Sequence, residues 1–481
     1  MKRKRTKNKE VTLSDIVENE IKFNGLRQGF SEALNKLSRN LKYKNSIHHS
    51  DLTNIPFVTI DGEDSKDFDD AVWSECDKKK TKIMIAIADV SFYVEKGDLI
   101  DIEAKKRGNS FYFPNKVIPM LPEELSNNLC SLVPKKKRKS VVLEIDLDDG
   151  KVKKFKFYRA VIKSIARLTY QEAENIFLEK NKNSKLFSII LNLFNTFKIL
   201  QENSKKRNKI SFNPDEYIIQ TNNEKNINLT KKKKLESYKL IEEFMVLANS
   251  IVGHYLKSNN IKSVFRNHEK PPSEKTKILK EIISQYKLNH SGLFNSQHDF
   301  NKIIEILKEN KISFLNDILL RSQSRAFYGT ENKGHFGLSL DYYVHFTSPI
   351  RRYSDLLVHR DLVDSYFFKK KNSRIEFTDH LNTQEKKADS IERTIFDVAS
   401  SYHLKKFRNY EFRGFIDSVE NFGVFIKAIN FPFSGLARYN KTFSSKYKLG
   451  QIVKFKIKKI NNRNGKILLF KVKKLADDAK K

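Results

Sequence analysis

The spacing of hydrophobic and polar positions changes character along the chain. Residues 1–50 read as a basic arm followed by a helical piece over 16–41. From Ile55 onward short β-like runs appear at 57–60, 71–73 and 83–88, and the polar residues 77–82 between the last two suit a hairpin. The stretch from 170 to 400 reads as mainly helical. Within it Leu240, Ile241, Phe244, Leu247, Ala248, Ile251 and Tyr255 recur at three- and four-residue spacing and predict a core-facing helix. After 408 the period returns to two. Residues 412–418, 422–428, 451–460 and 466–470 predict strands, with Asn462-Arg463-Asn464-Gly465 as a turn. This last segment has the size of a small β-barrel of the OB type. The expected fold is α+β and multidomain: an arm and short helical segment at 1–50, a main domain at 51–405, a barrel at 408–472 and a basic tail at 473–481.

A chain of 481 residues outgrows one compact core, so two or three domains are the expectation. Hydrophobic residues at 39% and aromatics at 11% exclude a disordered chain. Charge changes the picture more. Against 58 Asp and Glu stand 92 Lys and Arg, a formal excess of +34. Such a field favours polyanions, nucleic acid first among them, although a Lys-, Asn- and Ile-rich genome would supply part of it. The basic runs at 135–139 and 231–234 read most simply as solvated loops. The two cysteines, Cys76 and Cys130, form neither a zinc constellation nor a disulfide scaffold. The basic start lacks the apolar stretch of a secretory signal, and no run of about eighteen apolar residues predicts a membrane span. A cytoplasmic protein with no membrane partner is expected.

Within this basic chain, residues 61–70 carry six carboxylates in ten positions: Asp61, Glu63, Asp64, Asp67, Asp69 and Asp70. Like charges this close repel unless protonation, solvation or a cation relieves them. The flanking runs Val58-Thr59-Ile60 and Ala71-Val72-Trp73 place the acids where strands enter a core. Hard oxygen donors without His or Cys suit magnesium, with manganese as the alternative. Phosphodiester hydrolysis gives such a cluster a purpose, because two ions about 3.5–4 Å apart need several carboxylates to hold them. An exposed acidic turn is the plain alternative. A calcium loop of the EF-hand kind is excluded by Lys66, which stands where its sixth position needs Gly.

A second constellation spans 345–360, from His345 through Thr347-Ser348-Pro349-Ile350-Arg351-Arg352-Tyr353-Ser354-Asp355 to Arg360. Thr347 or Ser348 before Pro349 predicts a helix start, with both arginines in the first turn. Arginine meets phosphate oxygens in a bidentate fashion that lysine cannot match, and it stabilises charge developing at phosphorus. An ordinary capped helix with salt-bridged arginines is the alternative. Taken together, Val58 to Asp64 with Asp67-Phe68-Asp69-Asp70, Tyr112-Phe113-Pro114 running into Ile118-Pro119-Met120-Leu121-Pro122, Gly334-His335-Phe336-Gly337-Leu338, and the 345–360 block resemble the RNase R / RNase II (RNB) family of 3′–5′ exoribonucleases. The blocks keep the family's order, and the likeness extends over residues 45–472.

That resemblance implies a catalytic RNB domain, a mixed sheet with helices around an RNA channel, followed by an S1-type OB barrel. It implies processive 3′-to-5′ hydrolysis of single-stranded RNA to nucleoside 5′-monophosphates, in RNA decay and processing. Asp61, Asp67, Asp69 and Asp70 match the family's metal-site aspartates, Asp69 the one most critical for chemistry, and Arg351 matches the arginine that clamps phosphate. Tyr112 matches an aromatic that stacks on the nucleotide near the 3′ end, though a core tyrosine is the bland alternative; stacking tolerates any base. Arg352 is a further candidate RNA contact, and Glu392 matches an acid that affects RNA release. In the barrel segment Phe415, Phe422 and Phe425 offer stacking faces, one or more of which belong to the core. Within the family, Gly62-Glu63-Asp64 and Tyr353-Ser354-Asp355 sit closer to the RNase R branch.

Larger relatives carry cold-shock domains ahead of the catalytic domain. Only fifty residues precede Asp51, too few for one such barrel, so those entrance domains are expected to be absent or trimmed. A monomer is expected, with ribosome or helicase association left open. Two rival functions remain: an inactive RNA-binding protein on the same scaffold, and a metal-dependent DNA nuclease. Replacement of any metal aspartate or Arg351 would favour the first, and none is replaced. Reading of the 2′-hydroxyl would separate RNA from DNA.

Overall fold

The computed structural model describes residues 11–43, 47–77, 80–179, 186–222, 226–288, 294–370, 377–407, 409–444 and 446–475. The basic arm, most of the basic tail (476–481), and residues 78 and 79 of the expected hairpin connection lie outside the described residues.

The α+β body is built on a seven-stranded mixed sheet. Its strands lie in the order Ser50–Asp51, Lys151–Lys163, Lys137–Asp148, Lys80–Ala88, Asp70–Asp77, Val58–Asp61, Ala166–Thr169. The two edge strands run parallel to their neighbours and the remaining pairs are antiparallel. Ile83 through Ala88 are all buried, as a central strand covered on both faces requires. Each such isoleucine stabilises by about 1.5–3 kcal/mol. The helix Phe187–Lys206 covers the strand Asp70–Asp77, and the helix Glu236–Ser258 packs against it in turn. That second helix is the one the 240–255 periodicity predicts, and its apolar stripe is buried.

Three expectations change in detail. The helical piece at 16–41 is two helices, Leu13–Phe23 and Glu32–Asn40, separated by a bend at Asn24-Gly25 where Gly25 has φ +60°. The basic run at 135–139 is not simply a solvated loop, because the strand Lys137–Asp148 starts inside it. Its Lys139 is 1% exposed, with the ammonium 4.2 Å from the Phe92 ring centroid, a cation–π contact that replaces solvation. The helix expected to open at Thr347 or Ser348 spans Tyr353–Leu362 instead. Carboxylates capture the preceding amides: Ser348 N–H donates to Asp355 Oδ1 and Ile350 N–H to Asp69 Oδ1, each at 2.8 Å.

The C-terminal strands close into a five-stranded barrel in the order Phe412–Glu420, Gly423–Ala428, Ser434–Arg438, Lys466–Lys474, Ile452–Asn461. Phe412, Val424, Ile426, Val453, Phe455 and Leu469 fill it. The parallel pairing of Ser434–Arg438 with Lys466–Lys474 completes closure. The long helix Thr378–Leu404 joins body to barrel. At its far end the barrel turn at Gly465 (φ +69°) presses so close that a Cβ there would lie 2.7 Å from the Asp397 carbonyl carbon. Through Ala388, Ile391, Ile395, Val398 and Ala399 it shares a buried cluster with the N-terminal helix Leu13–Phe23 and the short hairpin Phe111–Phe113/Lys116–Ile118. Among the described residues, no helix is long and apolar enough to cross a membrane.

Candidate active site

The acidic segment is a connection between neighbouring antiparallel strands. Asp61 ends Val58–Asp61 and Asp70 begins Asp70–Asp77, and Val58 opposite Val72 brings that end beside that start. The loop between them is fixed through its backbone. Ser131 Oγ donates to Lys66 O at 2.7 Å and accepts from Phe68 N–H at 3.0 Å. Arg167 donates to the carbonyls of Gly62 and Glu63, both at 2.5 Å. With these carbonyls occupied by protein donors, the acids project from a defined frame.

Asp61, Asp67, Asp69 and Asp70 line one cavity of about 390 Å³ together with Arg351, Arg352, Tyr112 and His345. Asp69 is 4% exposed; its Oδ1 accepts from Ile350 N–H, while its Oδ2 has no hydrogen-bond partner and lies 3.4 Å from Arg351 Nε. Asp61 Oδ2 is likewise buried without a partner. Burial raises the pKa of Asp61, Asp69 and Asp70 above the ordinary carboxylate range. Neighbouring carboxylates add to the rise and Arg351 opposes it.

Buried oxygens with no donor, in a set made only of carboxylates, fit a hard divalent cation. They are not yet gathered round a point: among the described residues, no three His, Cys, Asp or Glu side chains stand as a ready ligand set. Asp67 is turned toward the Tyr112 hydroxyl, which donates to it, and Asp69 toward Ile350.

Arg351 and Arg352 precede the helix Tyr353–Leu362 and have different environments. The Arg351 side chain is 43% exposed and donates to Ser348 Oγ at 2.9 Å, leaving most of its donors free to meet a ligand. Arg352 is committed to the protein through a 2.7 Å bond to Asp355, which is fully buried. The pairing gives it a bracing role, while the side chain also borders both cavities and its Nε has no hydrogen-bond partner. Pairing with Asp355 outweighs desolvation and raises its pKa further.

Tyr112, 36% exposed, stands on the cavity wall. Together with both arginines it also lines a second pocket of about 160 Å³, which includes Glu392. The Glu392 carboxyl has its pKa raised, by burial first and by Asp389 next.

The barrel aromatics do not join these residues: none of Phe415, Phe422 and Phe425 lines either cavity. Phe415 is 1% exposed and stacks on Phe314 of the body at 5.5 Å, so its expected role as a stacking face for bases is corrected to a contact between barrel and body. Phe422 is 57% exposed, and Phe425 is half-buried edge-on to it.

Sequence reasoning missed Ser131, Arg167 and a Tyr328–His345 pair. The Tyr328 hydroxyl lies 2.8 Å from His345 Nδ1, and burial, with Arg352 and Arg266 next, drives the imidazole well below its ordinary pKa. It stays neutral beside the cavity. His345 lies within the 345–360 motif; Ser131 and Arg167 carry no local signal at all.

Comparison with known proteins adds an independent line. The family model described as "RNB domain" matches residues 49–366. Ribonuclease R of Escherichia coli K12 is 35% identical over 431 residues, covering 84% of this chain and 52% of that protein. The chain thus spans about half the length of the curated relatives it matches. Among solved structures, Mycoplasma genitalium RNase R in complex with ribose-methylated single-stranded RNA aligns with a TM-score of 0.87 at 28% identity, over 95% of this chain and 78% of that one. Yeast Ssd1, described as a pseudonuclease, shares the fold at a TM-score of 0.71 and 16% identity, over 92% of this chain and 57% of its own.

Proposed function

The chain belongs to the RNB-domain family that includes ribonuclease R, and from that premise we propose that it is a 3′–5′ exoribonuclease. It removes nucleoside 5′-monophosphates one after another from single-stranded RNA, in RNA decay and processing, and acts in the cytoplasm as a monomer. The observation that carries this reading is the set of four recessed aspartates in a chain of +34 formal charge, two of them with buried oxygens that accept no hydrogen bond.

Asp61, Asp67, Asp69 and Asp70 would hold magnesium, or manganese in its place. Bound there, such ions would supply Lewis acidity toward the phosphate and toward the attacking water. The remaining work belongs to the side chains. Arg351, free on most of its guanidinium, binds the scissile phosphate and stabilises the charge gathering on its oxygens. Tyr112 stacks under the terminal base without regard to its identity. Asp69 is recessed at 4% exposure, so a phosphate reaches it on the end of a threaded strand, which favours repeated cutting of one molecule. Arg352, pinned by Asp355, fixes the backbone that presents Arg351. Phe422, exposed on the barrel, offers upstream RNA a stacking face.

The inactive alternative is real for this fold, as a pseudonuclease neighbour exists. The presence of all four aspartates and Arg351 favours hydrolysis. Digestion of a 5′-labelled single-stranded RNA with magnesium tests it, with Asp69→Asn in parallel. The native chain should release monophosphates and leave a short labelled end product without intermediate ladders, while Asp69→Asn binds and does not cut. RNA binding without cutting by both proteins would overturn the proposal, and equal cutting of matched DNA would overturn its substrate.

A further inference from the structure

The hairpin that carries Tyr112 is too short to hold its own shape. Three residue pairs make it up: Phe111 with Ile118, Tyr112 with Val117, Phe113 with Lys116. Isolated two-stranded hairpins are marginal in water even when longer, so packing against something else must fix this one. Side chains alternate across a strand, and here Phe111 (5% exposed) and Phe113 (7%) face inward while Tyr112 faces the cavity. Whatever covers the two phenylalanines sets the position of the tyrosine.

The base of the hairpin is tied to the catalytic body. Tyr353 N–H donates to Gly108 O and Ser110 N–H to Arg351 O, both at 2.9 Å. Its tip is held from elsewhere. Asn115 Nδ2 donates to Ser14 Oγ at 2.8 Å, and Lys116 Nζ donates to Glu18 Oε1 and to Gln28 Oε1, both at 2.5 Å. Ser14 and Glu18 are one helical turn apart on Leu13–Phe23, and Gln28 follows that helix. Beneath these polar contacts, Phe111, Phe113 and Ile118 share one buried cluster with Ile16, Val17 and Ile21 of the same helix and with Ala388, Ile391 and Ile395 of Thr378–Leu404, which backs both the hairpin and the helix. A capping box fixes the helix start independently: Thr12 Oγ1 accepts from Asp15 N–H at 3.1 Å, and Asp15 Oδ2 accepts from Thr12 N–H at 3.0 Å.

We propose that the helix Leu13–Phe23 is a positioning element for substrate: by gripping the tip of the hairpin and closing, with Thr378–Leu404, the cluster under its inner face, it holds Tyr112 at the height where the terminal base of RNA stacks. This role rests on the reading of Tyr112 as a stacking platform. It predicts that residues with no contact to RNA set the affinity for its 3′ end, and that they do so only through Tyr112.

A double-mutant cycle on the full chain separates the possibilities. Dissociation constants of a 5′-fluorescein oligoadenylate with a free 3′-hydroxyl are measured in EDTA, where RNA binds without being cut. The proteins are wild type, Val17→Ala/Ile21→Ala, Tyr112→Ala and the triple variant, each checked for retained fold by circular dichroism. Loss of a stacking face should weaken binding about 5- to 150-fold in Tyr112→Ala. The helix variant should lose at least about 3-fold and no more than Tyr112→Ala does, and the triple variant should match Tyr112→Ala. An equal loss from the helix substitutions in both backgrounds, or none in either, overturns the positioning role and leaves the reading of Tyr112 standing. Unchanged binding by Tyr112→Ala instead removes that reading, and the helix role with it. Should Val17→Ala/Ile21→Ala unfold, Ser14→Ala/Glu18→Ala, which loosens the tip from the helix surface, carries the same cycle and the same criteria.

Discussion

Asp69 is a residue whose removal should help the empty protein and disable the loaded one. The side chain is 4% exposed, its Oδ2 has no hydrogen bond, and burial raises its pKa well above the ordinary value. Arg351 offsets part of this at 3.4 Å, but its own side chain is 43% exposed, so water shares that cation. Asparagine keeps the Oδ1 acceptor for Ile350 N–H and deletes the charge. Removing this incompletely compensated buried carboxylate should stabilise the metal-free protein by about 1–3 kcal/mol, the range for a buried polar atom left without a partner. The pH dependence follows from the direction of the shift. The unfolded chain ionises Asp at about 3.9 and the folded protein only at higher pH, so metal-free stability falls as pH rises above that value. The advantage of Asp69→Asn is thus absent near pH 4 and grows as pH rises, to its full size above the folded-state pKa. Magnesium reverses the order: a ligand at one hundred times its dissociation constant adds about 2.7 kcal/mol to the protein that binds it, and the variant gains less. Urea unfolding of both proteins at pH 4.5, 6 and 8, in EDTA and in excess magnesium, measures all of this. If Asp69→Asn is the less stable protein in EDTA at pH 8, the carboxylate belongs to the structural framework and the strained-ligand argument is refuted.

Two further predictions test the division of labour around the acids. Arg351→Lys keeps the charge and loses the planar fork, and it should lower kcat about 10²–10³-fold while RNA affinity changes little; a wild-type single-turnover rate would remove Arg351 from the chemistry. Phe415→Ala should cost about 3–5 kcal/mol of stability, as truncation of a buried phenylalanine does, whereas Phe422→Ala should leave unfolding unchanged and weaken RNA binding by about 1–3 kcal/mol. Denaturant unfolding and RNA-binding titrations on the two variants check the pair, and the reverse pattern would exchange their roles.

How much of this was legible in the sequence depends on whether a residue's role shows within a few neighbours. The acids were legible because they contradict their surroundings, six carboxylates in ten positions between apolar strand residues of a basic chain. The helix Glu236–Ser258 was legible from its stripe, and the barrel from its period of two and the Asn462–Gly465 turn. The strand pair Lys137–Asp148 and Lys151–Lys163 was not, because lysines at its ends and on its exposed positions imitate a solvated loop. Phe415 shows a second limit. It alternates correctly with Phe412 and Ile416 inside the barrel, and so reads as outward-facing, yet Phe314 of the other unit covers it. Period specifies the face of a strand and says nothing of what another domain lays upon it.

The same limit governs the site. Asp69 and Arg351 each stood out in their own motif, but the hydrogen bond that joins the motifs comes from a backbone amide, Ile350 N–H to Asp69 Oδ1, across 281 positions, beside the longer Arg351–Asp69 ion pair. The displaced helix start has another cause: Arg352 is extended (φ −131°, ψ 124°) and bridges to Asn109, which interrupts the turn after Pro349 before the helix resumes at Tyr353. Ser131 and Arg167 act in the same way as the Ile350 amide, through carbonyls of the acidic loop, and any residue with a suitable donor could in principle stand there. Side chains that meet substrate are constrained by chemistry and leave a local signature. Side chains that hold them in place are constrained by the fold, and only the folded chain reveals them. The grip of Leu13–Phe23 on the Tyr112 hairpin is of this second kind, which is why its test must be coupling to Tyr112 rather than loss of activity alone.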